Sequence, residues 1–397
     1  MYCDFFSPET YPVYEEIALN TRRNKFSAAF GVQSAEKIFI AANVNDFVLF
    51  VTSDYIAAQQ NARELSAYSK KPFVFLPPRQ EVLLYKNEGL KSKAERFVTL
   101  YKVVTGQVCG VVTTPEGLGQ LLPYAEDFKK SILRISVGDT LDLTEFVRRL
   151  TDNGFLKVPM IEGLGQFTVR GDIVDVFLPQ YSSPVRFDFF DDTVEAIKLV
   201  DKETFVSVKS IESVDVFAIK DIFNQESALK AARIEAEKQR RSVNAYNRLS
   251  TLLSSLEVNT DNPWLYPFCE NSLLSDYLPD NTLIVWDEPQ TVSQKLDRTY
   301  DGFKDRLAFL LKNGEILPSH FCQNTEPGVV KTKYEDFHQL GLQTLPYKCA
   351  FFTPQKVTSV KSSAVLSYKF DFNQLVTDLK LWAVNEYSVA LFAADSD

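Results

Sequence analysis

Arginine and aromatic side chains recur in two neighbouring alternating stretches of the chain, and these residue types commonly anchor protein interfaces. Arg170 lies in the first stretch, whereas Arg186 and Phe190 lie in the second. A period of two places Arg186 and Phe190 on one face of an extended strand and Phe187 on the other. Arginine can hold a carboxylate through two N–H groups at once, which lysine cannot do. The spacing therefore predicts that Arg170, Arg186 and Phe190 share one surface.

The same residues also allow a purely structural interpretation. Arg170 and Arg186 are close in sequence to Asp172 and Asp188, so each arginine is able to pair with an aspartate across a hairpin. An exposed pair of this kind contributes little to stability and binds nothing else. The residue types alone leave both interpretations open.

A second possible chemistry is nucleotide binding near Gly31. A phosphate-binding loop reads G-x-x-x-x-G-K-(S/T), in which the second glycine lets backbone N–H groups surround phosphate and the hydroxyl binds magnesium. In the register that begins at Gly31, Glu36 replaces the second glycine, Lys37 holds the lysine position and Ile38 replaces the hydroxyl residue. Because Glu36 brings negative charge beside phosphate and Ile38 cannot bind magnesium, we expect no nucleotide and no other cofactor.

Strand and helix patterns alternate in the first part of the chain. Apolar runs predict strands at 46–53, 73–76 and 108–113, with helices at 54–70 and about 91–104 between them. This order predicts a parallel sheet covered by helices on both faces.

Four further elements are predicted outside this alternation. Residues 7–30 are predicted to be mostly helical, and 347–353 to be a strand. Residues 282–289 read as a buried strand that ends in Asp287 and Glu288, an acidic pair expected to cap the following helix at 291–313.

The two arginine-bearing stretches are predicted to form an antiparallel hairpin. The first strand alternates from Phe167 to Phe177 and is broken at Gly171, either by a bulge or by a close backbone approach. Pro179–Pro184 is rich in turn residues, and Val185–Phe190 forms the second strand.

Composition limits the class of protein. The chain has 397 residues, 45% of them hydrophobic and 31 of them phenylalanine, which is enough for two or three domains with real cores. The net charge of −9 argues against a broad phosphate-binding surface. We expect His320 and His338 to face solvent without a functional role.

Cysteine usage and apolar runs bear on the compartment. The five cysteines are scattered without zinc-ligand spacing, so no metal site and no catalytic cluster is expected. An odd number of cysteines is typical of the reducing cytosol, and no apolar run reaches the ~18 residues that a membrane span needs. We therefore expect a cytoplasmic protein that does not bind a membrane.

Two segments carry a resemblance to a known family. Val169–Phe177 and Pro184–Asp192 are similar to V-R-G-D-I-(I/V)-D-(I/V)-F-P and P-(V/Y)-R-(I/L)-(E/D)-(L/F)-F-(G/D)-(D/E). These patterns occur in the UvrB-like module at the N-terminus of bacterial transcription-repair coupling factors, the Mfd family, and UvrB carries a related stretch. The resemblance covers essentially the whole chain, which corresponds to about the first third of a full-length family member.

The resemblance implies an α/β fold. A degenerate helicase-like parallel sheet domain is interrupted by an inserted small α+β domain, and the start of a third α/β domain follows. The expected boundaries are 1–135 and 221–325 for the two parts of the first domain, 136–220 for the second, and 326–397 for a linker and a truncated third domain. A final strand is expected at 389–397, and because no helix follows it, we expect a truncated gene or a fragment.

The resemblance also implies a function. The family's second domain binds UvrA in transcription-coupled nucleotide excision repair, and Arg170, Arg186 and Phe190 occupy the matching motif positions. RNA polymerase, DNA and ATP are expected to engage parts of the family that lie beyond this chain, so this chain is expected to be no enzyme.

Two alternatives remain open at this point. One is a UvrB-like, ATP-dependent protein that processes DNA damage, which Glu36 and Ile38 oppose. The aromatic hairpin with which UvrB clamps DNA also has no room after Tyr85, because the next helix begins within a few residues. The other alternative is an autoinhibitory scaffold that restrains the motor of the full-length protein.

Overall fold

The computed structural model describes residues 11–79, 90–239, 243–256, 261–362, 368, 371–387 and 389. The helices are α1 Pro12–Arg23, α2 Ser34–Asn43, α3 Tyr55–Tyr68, α4 Leu90–Val104, α5 Pro115–Gly119, α6 Ala125–Ser131, α7 Leu143–Asp152, α8 Gln225–Glu237, α9 Val243–Ser255, α10 Pro289–Lys312, α11 Pro327–Tyr334 and α12 Phe372–Val384. The strands are β1 Phe26–Phe30, β2 Val48–Val51, β3 Phe73–Phe75, β4 Gly110–Thr113, β5 Leu122–Pro123, β6 Leu133–Ser136, β7 Leu156–Lys157, β8 Gln166–Arg170, β9 Ile173–Val176, β10 Val185–Phe190, β11 Thr193–Val200, β12 Ser207–Ile211, β13 Ser213–Val216, β14 Asn271–Ser272, β15 Leu283–Asp287, β16 His338–Gln343 and β17 Lys356–Ser359.

A seven-stranded sheet forms the centre of the larger of two compact units, Met1–Val360. Its strand order is β17-β1-β16-β15-β2-β4-β3, and every pairing is parallel. Alternate residues of β2 enter two different cores: Leu49 and Val51 pack on one side, and Val48 and Phe50 on the other. The predicted parallel sheet with two covered faces is confirmed.

Two strands of this sheet come after residue 325, where the first domain was expected to end. β16 pairs with both β1 and β15, and β17 pairs with β1. The strand predicted at 347–353 is wrong, because these residues are irregular and connect β16 to β17. The helix predicted at 7–30 is also too long, since α1 ends at Arg23 and the small residues of β1 are needed inside the sheet.

The inserted region contains a six-stranded sheet of order β12-β11-β10-β9-β8-β7. Its pairings are antiparallel except between β7 and β8. One face packs against α7 and against the β6–β13 pair, which gives a core that includes Phe146, Phe187 and Val214. Asp142 caps α7 by accepting a hydrogen bond from the backbone N–H of Glu145. The expectation of an inserted domain with helix and sheet is confirmed.

A buried charge cluster lies where the chain returns from the inserted region. The Arg79 guanidinium donates to Asp221 at 2.8 Å, and Arg96 donates to both carboxylate oxygens at 3.3 Å. Burial alone would raise the pKa of Asp221, but Arg79, Arg96 and Lys93 outweigh burial and hold the pKa below its usual value. The cluster therefore joins α4 to the segment that follows β13.

His320 is buried, which contradicts the expectation that it faces solvent. It lies in a 3₁₀ helix, Pro318–Gln323, and its ring packs edge-on against Trp264 and Phe268. Burial lowers the pKa of His320 to about 4. His338 is exposed at the start of β16, as expected.

The smaller unit, Lys361–Asp397, contains α12. Asp371 caps this helix through a hydrogen bond from the backbone N–H of Gln374. The strand predicted at 389–397 lies outside the described residues except for Val389. Among the helices of the described part of the chain, none is both long enough and apolar enough to cross a membrane.

Candidate functional site

The stretch from Gln166 to Val176 is itself a hairpin. Gly171 has a φ of +61° and begins the tight turn between β8 and β9, so the chain reverses there. The prediction of one broken strand from Phe167 to Phe177 is therefore wrong. The expected antiparallel pairing with Val185–Phe190 is correct for β9 and β10.

The register brings the arginine-bearing strands together on one face. Arg170 lies opposite Ile173, which lies opposite Asp188, and Arg186 lies opposite Asp175. Residues opposite one another in antiparallel strands share a face. We call the face that carries Arg170, Asp175, Arg186, Asp188 and Phe190 the outer face. The predicted alternation is confirmed, because Val185, Phe187 and Phe189 are all buried on the other side.

Arg186 is held by an acid from the neighbouring strand. Its Nε and Nη2 donate to the two carboxylate oxygens of Asp175 at 2.7 and 3.0 Å. The Asp175 side chain is 1% exposed and that of Arg186 is 19% exposed. This hydrogen bonding raises the pKa of Arg186 above its ordinary value. The two-pronged binding mode expected of Arg186 is thus already used within the chain.

The structural interpretation expected Arg170 and Arg186 to pair with Asp172 and Asp188, and these partners are wrong. Asp188 binds Lys198 of β11 at 2.5 Å, and Arg186 binds Asp175 instead. Arg170 makes no ion pair among the residues that the structure describes, and its guanidinium lies 5.9 Å from the centre of the Phe205 ring. Phe190 is 73% exposed. The outer face therefore offers Arg170 and Phe190 to solvent and holds Arg186 in place.

Sequence reasoning missed Asp175, Lys198 and Phe205. Asp175 was visible as a charged residue at an alternating position of a strand, and such a residue needs a partner if it is buried. No sequence signal identified Phe205, because its contact with Arg170 joins segments that are far apart in the sheet.

The degenerate nucleotide loop lies at the carboxyl ends of the parallel strands. Gly31 follows β1 with a φ of +81°, and a Cβ atom there would lie 2.1 Å from the carbonyl oxygen of Val360. Lys37 is 5% exposed, and its Nζ donates to Asp287 at 2.8 Å and to Glu288 at 2.6 Å. Thr52 donates to the other oxygen of Asp287 at 2.9 Å. The cation that would meet a phosphate is therefore neutralised by two carboxylates.

Glu36 and Ile38 have structural partners. The two carboxylate oxygens of Glu36 accept hydrogen bonds from the Tyr14 hydroxyl at 3.0 Å and from the backbone N–H of Gln33 at 2.9 Å. The second bond belongs to a capping box that starts α2. Ile38 is buried in the core. Within the described residues, no group of three or more potential metal ligands occurs.

The expectation that the acidic pair caps α10 is wrong for Glu288. Glu288 occupies the position before α10 in a left-handed conformation, with a φ of +55°, but its side chain caps nothing in that helix. Its carboxylate accepts instead from Lys37 and from the backbone N–H of Thr344. Burial raises the pKa of Glu288, but these hydrogen bonds outweigh burial and leave the pKa below its usual value.

The chain is similar to one family model and to several known proteins. The family model described as the UvrB interaction domain matches residues 133–236. A transcription-repair-coupling factor of Bacillus subtilis is 22% identical over 390 residues, which cover 92% of this chain and 32% of that protein. This chain is homologous to the N-terminal region of transcription-repair-coupling factors. The resemblance of the two motif segments is thereby confirmed.

Two further transcription-repair-coupling factors match shorter parts of the chain. That of Myxococcus xanthus is 28% identical over 257 residues, covering 59% of this chain and 21% of the relative. That of Staphylococcus aureus is 24% identical over 196 residues, covering 49% and 17%. The chain thus spans at most about a third of the length of these coupling factors.

Proposed function

We propose that the chain is a non-catalytic module that recruits UvrA in transcription-coupled nucleotide excision repair. The proposal starts from the homology to the N-terminal region of transcription-repair-coupling factors and from the match to the UvrB interaction domain at 133–236. This range contains the whole six-stranded sheet and therefore the outer face. In the same proposal, RNA polymerase, DNA and an ATP-dependent motor belong to parts of the longer relatives that this chain does not cover.

The observation that carries the proposal is the exposure of Arg170 and Phe190 on the outer face. A phenylalanine that is 73% exposed contributes little to the core of this chain, and aromatic residues and arginines are enriched among the anchors of protein interfaces. The Arg170 guanidinium is able to bind a carboxylate of a partner protein, because no acid in the described residues forms an ion pair with it. The opposite face of the same sheet is filled by Phe187 and Val185, so the fold does not depend on either anchor.

Arg186 has a different part in this interface. Its Nε and Nη2 each donate one hydrogen bond to Asp175, which leaves the N–H groups of Nη1 and the second N–H of Nη2 for a partner. The ion pair fixes the position of the guanidinium on the outer face. Arg186 therefore acts mainly by positioning, whereas Arg170 and Phe190 are the direct anchors.

The test is the affinity of UvrA for the full chain and its variants. Arg170→Ala and Phe190→Ala are each expected to weaken binding by about 2 kcal/mol or more, roughly thirtyfold, without lowering the melting temperature. Phe309→Ala is the matched control, because Phe309 is a similarly exposed phenylalanine on α10, outside the inserted sheet.

Two outcomes contradict the proposal. If both variants bind UvrA within about twofold of the wild-type chain, the interface lies elsewhere. If the wild-type chain binds UvrB and does not bind UvrA, the partner has been assigned incorrectly.

A further inference from the structure

The turn between β11 and β12 contains a strained aromatic residue that the proposed interface does not yet include. Phe205 has a φ of +56°, in the left-handed region that bulky side chains rarely adopt. Strain of this kind costs on the order of 1–3 kcal/mol and persists only where the surrounding structure enforces it. Such residues are concentrated at functional sites.

Hydrogen bonds enforce this conformation. One carboxylate oxygen of Asp201 accepts from the backbone N–H groups of Glu203 and Thr204 at 3.0 and 2.8 Å and from the Thr204 hydroxyl at 2.9 Å. The backbone N–H of Phe205 donates to the carbonyl of Asp201 at 2.9 Å, and that of Asp201 donates to the carbonyl of Val206 at the same distance. The turn is therefore closed at both ends, and the Phe205 ring has a defined direction.

That direction brings Phe205 to Arg170. The guanidinium carbon lies 5.9 Å from the ring centre, within the range of a cation–π contact. Arg170 is on β8, whereas Phe205 precedes β12, the edge strand four positions away in the sheet order. The contact thus links both sides of the outer face. A cation–π contact uses none of the guanidinium N–H groups as hydrogen-bond donors to an acceptor atom, so these donors remain available for a carboxylate.

Apolar surface continues from Phe205 along the sheet edge. Val206 is 64% exposed and Val208 is 70% exposed. The neighbourhood therefore combines an arginine without an acidic partner in the described residues, an aromatic ring and exposed aliphatic side chains. Buried interface centres have this composition, in which arginine and aromatic residues are enriched.

We propose that Arg170 and Phe205 act as one unit, the Arg170–Phe205 clamp, that receives a carboxylate side chain of the partner beside an apolar contact. This inference rests on the proposed function and extends the UvrA-binding surface to the turn between β11 and β12. The partner segment is acidic, because a single oriented guanidinium with no internal counter-ion selects a carboxylate. Phe190 ends β10, two residues beyond Asp188, and takes no part in the Arg170–Phe205 contact, so we treat it as a separate anchor.

Substitution of Phe205 can separate binding from folding. Phe205→Asn removes the ring and introduces a residue type that tolerates positive φ. The melting temperature should therefore stay equal or rise. UvrA affinity should fall about tenfold, while Phe205→Tyr should keep most of it. Phe309→Ala again serves as the control for loss of an exposed phenylalanine.

A double-mutant cycle tests whether the two residues form one unit. Arg170→Ala combined with Phe205→Asn should bind within about twofold of Arg170→Ala alone, because the clamp is already lost. Phe190→Ala combined with Phe205→Asn should instead show the product of the two single effects.

Each of the following outcomes contradicts the proposed clamp. If Phe205→Asn binds normally while Arg170→Ala and Phe190→Ala bind weakly, the clamp is wrong and the proposed function stands. Affinity that falls only together with the melting temperature, in both Phe205→Asn and Phe205→Tyr, makes Phe205 structural. If the wild-type chain does not bind UvrA, both proposals fail.

Discussion

Arg170 and Arg186 share the outer face but differ in what holds each guanidinium. Arg186 forms two hydrogen bonds with a carboxylate that is 1% exposed, whereas the exposed Arg170 has its guanidinium carbon 5.9 Å from the centre of the Phe205 ring. Removal of one partner from a buried pair leaves an uncompensated charge, which is far more harmful than loss of an exposed residue. At the scale of single residues, the two arginines should therefore behave differently.

Arg186→Ala should lower the free energy of unfolding by about 3 kcal/mol, because Asp175 would remain buried without a counter-ion. Lys198→Ala is the matched control on the same face, since its pair with Asp188 is more exposed and should contribute less than about 1 kcal/mol. Urea unfolding at neutral pH measures both. An Arg186→Ala variant as stable as Lys198→Ala would show that the Asp175 pair is not structural.

Lys37, at the degenerate nucleotide loop, is likewise a basic residue held by acidic side chains of the same chain. Because Asp287 and Glu288 neutralise its ammonium group, a phosphate would have to displace both carboxylates. We predict no binding and no hydrolysis of Mg-ATP. Isothermal titration of the chain with Mg-ATP, with a competent ATPase as positive control, measures this, and a micromolar dissociation constant would contradict it.

At the scale of elements, the 3₁₀ helix Pro318–Gln323 depends on a neutral histidine. His320 Nδ1 lies 3.2 Å from the backbone nitrogen and 3.0 Å from the carbonyl oxygen of Leu317, and the ring packs against Trp264 and Phe268. No acidic side chain of the described residues forms an ion pair with this imidazole, so burial favours the neutral form.

The lowered pKa of His320 predicts a loss of stability in acid. The folded pKa is about 4 and the ordinary value is 6.5, so the unfolded chain binds this proton first as the pH falls. The stabilisation is complete above about pH 6.5 and is lost progressively down to about pH 4, by roughly 3 kcal/mol in total.

Urea unfolding of the wild-type chain and of His320→Asn between pH 7 and pH 4 tests this dependence. Asparagine keeps an acceptor for the Leu317 N–H and does not titrate, so its stability should vary less with pH than that of the wild-type chain. Identical pH dependence in the two proteins would show that His320 does not contribute.

At the scale of the whole molecule, charge argues against nucleic acid as a partner. The chain has 52 acidic and 43 basic residues, and several of the basic ones, including Lys37, Arg96 and Arg186, are bound to acids. Binding to DNA depends on cations that are free to replace counter-ions on phosphate. The expectation that a UvrB-like hairpin is absent after Tyr85 falls on residues outside the described part of the chain.

We predict no tight binding of the chain to duplex or single-stranded DNA at physiological salt. Fluorescence anisotropy at two salt concentrations measures this, because phosphate contacts produce a strong salt dependence. A salt-sensitive dissociation constant below about 1 μM, tighter than ordinary non-specific binding, would overturn the prediction.

Local patterns in the sequence determined much of this architecture. Apolar runs identified β2, β4 and β15, and helical spacing identified α3 and α4 close to their observed bounds. Alternation alone assigned Phe187 to the core and Arg186 and Phe190 to the other face. These predictions succeeded because side-chain direction in a strand and periodicity in a helix are set by local backbone geometry.

Only the tertiary structure decided which residues meet. The Asp175–Arg186 pair depends on the turn at Gly171, which places the odd-numbered positions of β9 on the same face as the even-numbered positions of β8. A change of one residue in register would move the side chains of a strand to the opposite face. Three further features depend on contacts between segments that are distant in sequence. They are the positions of β16 and β17 in the seven-stranded sheet, the burial of His320 and the contact of Phe205 with Arg170. Sequence patterns describe each segment's own periodicity, and pairing between distant segments is selected by packing of the whole chain.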